Sequence, residues 1–110
     1  PLFPSVATMQ RIRWAGLDPA DFEIVTTYEN ARHCKPSPDY YRDILAQAGL
    51  APEECLMVGN DAREDMVAET LGMQVFLLTD CLLHAEGKDL TRWNRGGFGE
   101  LKEFLAQNLT

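Results

Sequence analysis

The feature that most constrains this chain is a pattern that occurs twice. "AGLDPADFEIV" (15–25) and "AGLAPEECLMV" (48–58) share A-G-L-x-P-x-x-x-x-[IM]-V at an offset of 33 residues. In each copy the glycine follows a helical stretch, where it suits the left-handed position just past a helix end, and the leucine can close over the last turn. The proline then blocks helix continuation, and an apolar run follows. Each copy therefore predicts a helix end, a short turn and a strand start. "ETLGMQVFLLTD" (69–80) repeats the idea without the proline. Two full copies are too few for a solenoid, so the repeat is read as successive αβ units.

Around these anchors the sequence predicts a helix over 5–15 with Ser5 as its cap, and a strand over 23–28 (EIVTTY). A helix follows over 38–48, with Ser37 at the cap and Pro38 at the first helical position, the favoured order at a helix start. Tyr41, Ile44, Leu45 and Ala48 fall on one face of that helix. Further on come a strand over 55–59, a helix over 62–71, a strand over 74–79, a polar loop over 81–98 and a last helix over 99–108. Gly96, Gly97 and Gly99 near the loop's end imply mobility or a close approach to that helix. The strands are continuous apolar runs, as expected where helices cover both sheet faces. The alternation argues a three-layer α/β fold with a Rossmann-like parallel sheet, and no boundary divides residues 1–110 into two domains.

Composition excludes some functions. The net charge is −7, and the second half carries most of it: residues 1–50 hold five Lys/Arg against six Asp/Glu, residues 51–110 five against eleven. A broad basic face for nucleic acid is not expected. No apolar run approaches the roughly 20 residues of a membrane span. Cys34, Cys55 and Cys81 are odd in number and show no metal-ligand spacing; isolated thiols suit a reducing cytoplasm.

In a parallel α/β sheet, ligands bind beyond the carboxyl ends of the strands, which selects 26–30, 59–65 and 79–80. The richest is "LMVGNDAREDM" (56–66). Gly59 permits a tight turn off the strand, and Asp61 and Asp65 sit four residues apart, on one side of the next turn. Two hard oxygen ligands at a strand end suit Mg²⁺, which takes one or two carboxylates and completes its shell with water and phosphate. The same acids also suit plain capping: Asp61 as N-cap, Glu64 and Asp65 against the helix dipole. A second place is "ENARHCKPSPDYY" (29–41), where Lys35 precedes Pro36 and then a helix N-terminus. Both are positive, and a bound phosphate would resolve that conflict; a solvated loop lysine is the simpler account.

A lysine-proline pair ahead of a helix, followed by an apolar strand ending in G-N-D-x-x-E-D, resembles the last two motifs of the haloacid dehalogenase superfamily, and the order of elements agrees along nearly the whole chain. The resemblance implies a hydrolase, most naturally a phosphatase for a small phosphate ester. Lys35 would neutralise the nucleophile and the phosphoryl group, and Asp61 with Asp65 would hold Mg²⁺. The family's commoner G-D-x-x-x-x-D spacing would put Asn60 in the first acidic position, and Glu64 is an alternative to Asp65; Gly59, Asn60 and Glu64 are thus supporting or alternative positions. The family's nucleophile belongs to a D-x-D motif, and none occurs in these 110 residues. The resemblance accordingly implies the C-terminal part of the core domain, incomplete because its first two strands and its cap are missing. Such a piece is expected to be inactive alone and to expose sheet edges through which it could self-associate. The rival expectation is a non-enzymatic interaction module. Glu29 and Asn30 are candidate supports of the site, His33 and His84 are expected on the surface, and Trp14 and Trp93 are expected to pack.

Overall fold

The computed structural model describes residues 1–108. The chain divides into two compact units, Pro1–Gly49 and Leu50 onward.

The first unit contains helices α1 (Ser5–Trp14) and α2 (Pro38–Ala48). α2 forms as its sequence dictates. The Ser37 hydroxyl accepts from the Asp39 amide at 3.3 Å, Pro38 opens the helix, and Gly49 ends it in the left-handed region at φ 69°. Its apolar face buries Tyr41 and Leu45, with Ile44 and Ala48 half-buried. α1 also forms where expected, but the cap differs. Residue 4 holds the N-cap position, and the Ser5 amide donates to both carboxylate oxygens of Glu29, at 2.8 and 3.0 Å. A carboxylate at a helix N-terminus satisfies an orphan amide and complements the dipole. Glu29 therefore serves α1. α1 buries none of its residues, and Trp14 is 77% exposed, contrary to the packing role expected of it.

The stretch 23–28 is not a strand among the described residues. It runs without a ladder partner, held locally by Asn30: its Oδ1 accepts from the Thr27 amide at 2.7 Å, and its Nδ2 donates to the Val25 carbonyl at 2.7 Å. A β-branched run encodes extended backbone, but a strand exists only where another strand supplies its hydrogen bonds.

The second unit holds a parallel sheet of β1 (Leu56–Gly59), β2 (Gln74–Leu78) and β3 (Asn94–Gly96), in that order. Val75, Phe76 and Leu77 of the central strand are buried, together with Ala62, Met66, Ala68 and Trp93. α3 (Phe98–Asn108) packs on the sheet through Phe104, whose ring centroid lies 5.3 Å from that of Phe76. β3 lies inside the predicted polar loop. Its three residues, Asn-Arg-Gly, carry no apolar pattern, and only pairing with β2 makes them a strand. The helix expected over 62–71 is also revised: residues 62–65 are turn and Met66–Leu71 is a 3₁₀ helix. None of the helices is long and apolar enough to cross a membrane, among the described residues.

Candidate active site

Gly59 is the last residue of β1, and the chain turns there into the acidic segment. A methyl group at Gly59 would lie 2.1 Å from Asp65 Oδ2. The absent side chain is thus what lets the Asp65 carboxylate fold back against the strand end. Asp65 Oδ2 accepts from the Asp61 amide at 3.1 Å, and the Asp61 carbonyl accepts from the Asp65 amide at 3.1 Å. This reciprocal pair closes the turn and buries both acids, Asp61 at 5% and Asp65 at 2% exposure.

Asp61 is held from three directions. Its Oδ1 accepts from the amides of Arg63 at 2.9 Å and Glu64 at 2.8 Å, the geometry of an N-cap. Its Oδ2 lies 2.7 Å from His84 Nδ1. Burial pushes the Asp61 carboxyl up, but the amide of Glu64, the His84 ring and the amide of Arg63 together more than offset it, and the carboxyl is held below its ordinary value. It is ionised at neutral pH.

His84 reaches this carboxylate because its segment is laced beside the turn. Asn60 Nδ2 donates to the Cys81 carbonyl at 2.7 Å, the Leu83 amide to the Asn60 carbonyl at 2.9 Å, and the Ala62 amide to the Leu83 carbonyl at 2.9 Å. Asp61 and Leu83 form a parallel bridge. Asn60 is therefore a brace for this strap, with its side-chain amide committed to Cys81. Glu64 contributes its amide to Asp61, while its carboxylate is 3.8 Å from Arg63. His84 is exposed, as the sequence suggested, but its contact with Asp61 was not legible: the two stand 23 residues apart and meet only through the strap.

Lys35 belongs to the first unit. It is half-buried, two residues ahead of the α2 cap, and its peptide bond to Pro36 is cis. In the same unit the Tyr40 hydroxyl and Thr26 Oγ1 are hydrogen-bonded at 2.8 Å, and His33 Nε2 lies 4.0 Å from Asp43. A cavity of about 430 Å³ in the second unit is lined by Arg63, Met66, Glu69, Lys88, Arg92 and Trp93 among others; neither Asp61 nor Asp65 lines it.

Among the described residues no three or more His, Cys, Asp or Glu side chains converge as a cation cage. The chemistry of the donor set suits a hard divalent cation. Two buried carboxylates of hard oxygen, at the carboxyl end of a parallel strand, match the small protein share of a Mg²⁺ shell that is otherwise water and phosphate.

Residues 5–68 match the sequence model of the haloacid dehalogenase-like hydrolases. Over 53 residues the chain is 34% identical to a pyrophosphatase, PpaX, of Bacillus velezensis, a stretch that is 48% of this chain and 24% of that protein. Its fold is similar to that of a predicted phosphoglycolate phosphatase from Haemophilus somnus 129pt, with a TM-score of 0.72 and 21% identity. That superposition covers 92% of this chain and 45% of the other. The chain thus spans less than half the length of either protein.

Proposed function

Because the chain belongs to the haloacid dehalogenase-like hydrolase family, we propose that residues 1–110 are the C-terminal part of one core domain of a Mg²⁺-dependent phosphohydrolase. Its substrate would be a small phosphorylated metabolite in the cytoplasm. The observation that carries the reading is the buried pair Asp61 and Asp65 at the end of β1. The pyrophosphatase relative supports phosphate anhydrides and esters as the substrate class, and the similar fold is that of a predicted phosphoglycolate phosphatase.

Mg²⁺ bound at this pair would neutralise a phosphoryl oxygen as a Lewis acid. Asp61 and Asp65 hold the ion; the amides of Arg63 and Glu64 fix the Asp61 carboxylate, and Gly59 leaves room for that of Asp65. By its match to the family's lysine motif, Lys35 would offset negative charge on the transferring phosphoryl group and on the nucleophile, an electrostatic contribution of the kind that lowers such a barrier. No D-x-D occurs among these residues, so the nucleophile would be an aspartate outside them. Its carboxylate would attack phosphorus as the P–O bond to the leaving group breaks, the leaving oxygen departing with a proton. Water would then cleave the phosphoaspartyl ester to free aspartate and inorganic phosphate. The chain alone does not turn over.

The hydrogen bonds that already occupy Asp61 favour one rival, an interaction module in which the acidic turn is purely structural. Assay with Mg²⁺ on p-nitrophenyl phosphate, pyrophosphate and phosphoglycolate separates the two. The chain alone is expected to be silent, and a protein that joins it to a D-x-D-bearing segment to be active. In that protein Lys35→Ala and Asp65→Asn should each lower kcat about 100-fold or more. Unchanged kcat in both variants supports the module instead, and turnover by the chain alone contradicts an external nucleophile.

A further inference from the structure

The strap that brings His84 to the acidic turn is built with more care than a surface loop needs. Three backbone or side-chain hydrogen bonds fasten 81–83 to 60–62, and His84 itself stands in the left-handed region at φ 54°, the one non-glycine residue there among the described residues. Few non-glycine residues adopt that region, and histidine is among those that do so more readily. The conformation brings Nδ1 to 2.7 Å from Asp61 Oδ2. A ligating carboxylate oxygen accepts and an imidazole N–H donates, so the contact is read as Nδ1–H donating to Asp61 Oδ2.

A carboxylate offers about four lone-pair sites, two on each oxygen. The amides of Arg63 and Glu64 take both on Oδ1, and His84 takes one on Oδ2. One site remains, on Oδ2. We propose that His84 is a positioning residue for the cation site: its Nδ1–H fixes Asp61 Oδ2 so that this carboxylate engages Mg²⁺ through a single oxygen. The inference rests on the reading of Asp61 as a cation ligand and goes beyond it by giving the site an outer partner. Hydrogen bonds to ligating carboxylates orient them, and loss of such a partner costs 10–100-fold in metal affinity. Half of the His84 side chain remains in solvent (46% exposed), so its removal leaves the buried core intact.

Direct Mg²⁺ binding to the full chain, measured by calorimetry, tests this without any turnover. His84→Gly removes the donor and relieves the backbone, so lost affinity cannot be blamed on strain. His84→Asn keeps a side-chain donor in a residue that tolerates φ above zero. His84→Gly should weaken Mg²⁺ binding by about 10–100-fold, with His84→Asn between it and the natural chain and all three melting as folded proteins. Natural affinity in His84→Gly, while Asp61→Asn abolishes binding, overturns the role of His84 and leaves the site reading standing. Unchanged binding in Asp61→Asn, or no binding to the natural chain at millimolar Mg²⁺, overturns both. A His84→Gly chain that fails to melt cooperatively marks His84 as a folding residue and likewise overturns the proposal.

Discussion

The two copies of the repeat share a local design and differ in what it builds. After Gly16, at φ 83°, Pro19 opens a 3₁₀ turn and the chain runs on through 23–28 with no ladder partner among the described residues. After Gly49, at φ 69°, Pro52 opens the same turn and the chain emerges as β1, paired with β2. The second copy ends in a buried acidic site, and the first ends beside exposed side chains. Of the exposed large apolar residues, Leu2, Phe3, Val6, Trp14, Leu17, Phe22 and Tyr28 lie in the first unit, against Leu50, Leu83 and Phe98 in the second. Caps and turns are local chemistry, whereas strands and cores require partners distant in sequence. The difference places stability in the second unit.

Truncating the cores should expose that asymmetry most strongly. Phe76→Ala removes a ring that is 2% exposed and packs on Phe104, and should cost about 3–5 kcal/mol in denaturant melts. Trp14→Ala removes a larger ring from α1 and should change stability by less than about 0.5 kcal/mol. Equal losses would break the comparison. Next comes Gly59→Ala. Its methyl group would collide with the buried Asp65 carboxylate, and a cost of about 3 kcal/mol is expected, read as a lowered Tm.

What the amino-acid sequence makes legible follows the same division. Ser37, Pro38, Gly49 and the apolar face of α2 are legible because helix caps and periodicity are written within a few residues. The family and the α/β class follow from motif order, and Asp61 and Asp65 stand at a strand end as expected. β3 is not legible, because Asn94–Gly96 has no pattern of its own. The helix expected over 62–71 is too long, because the reciprocal Asp61–Asp65 bonds close a turn before the 3₁₀ helix begins. Glu29 caps α1 with its carboxylate, where its position at the end of an apolar run suggested a support for the site. His84 escapes a sequence reading because nothing adjacent to it marks its partner.

Two smaller effects sharpen the contrast between the units. Ser37→Ala removes the side-chain acceptor at the start of α2 and should cost about 1 kcal/mol, measurable as loss of helicity confined to the first unit. Acid should act on the second unit. The Asp61 carboxyl is depressed when folded, while an unfolded aspartate titrates at about 3.9. Its contribution is therefore fully present above the unfolded value and lost as pH falls through the lower folded value. Asp61→Asn should flatten the decline of stability on acidification below about pH 5; an unchanged slope would assign the acid sensitivity elsewhere.

Whether the acidic turn after β1 is a cation site is tested most directly by amide NMR of the chain titrated with Mg²⁺. Saturable shifts are expected at 59–65 and at His84, lost in Asp65→Asn, with α1 unmoved. Shifts centred instead on other acidic stretches, such as Glu53–Glu54 or Glu100–Glu103, or no saturable shift at the turn, would contradict a cation site there.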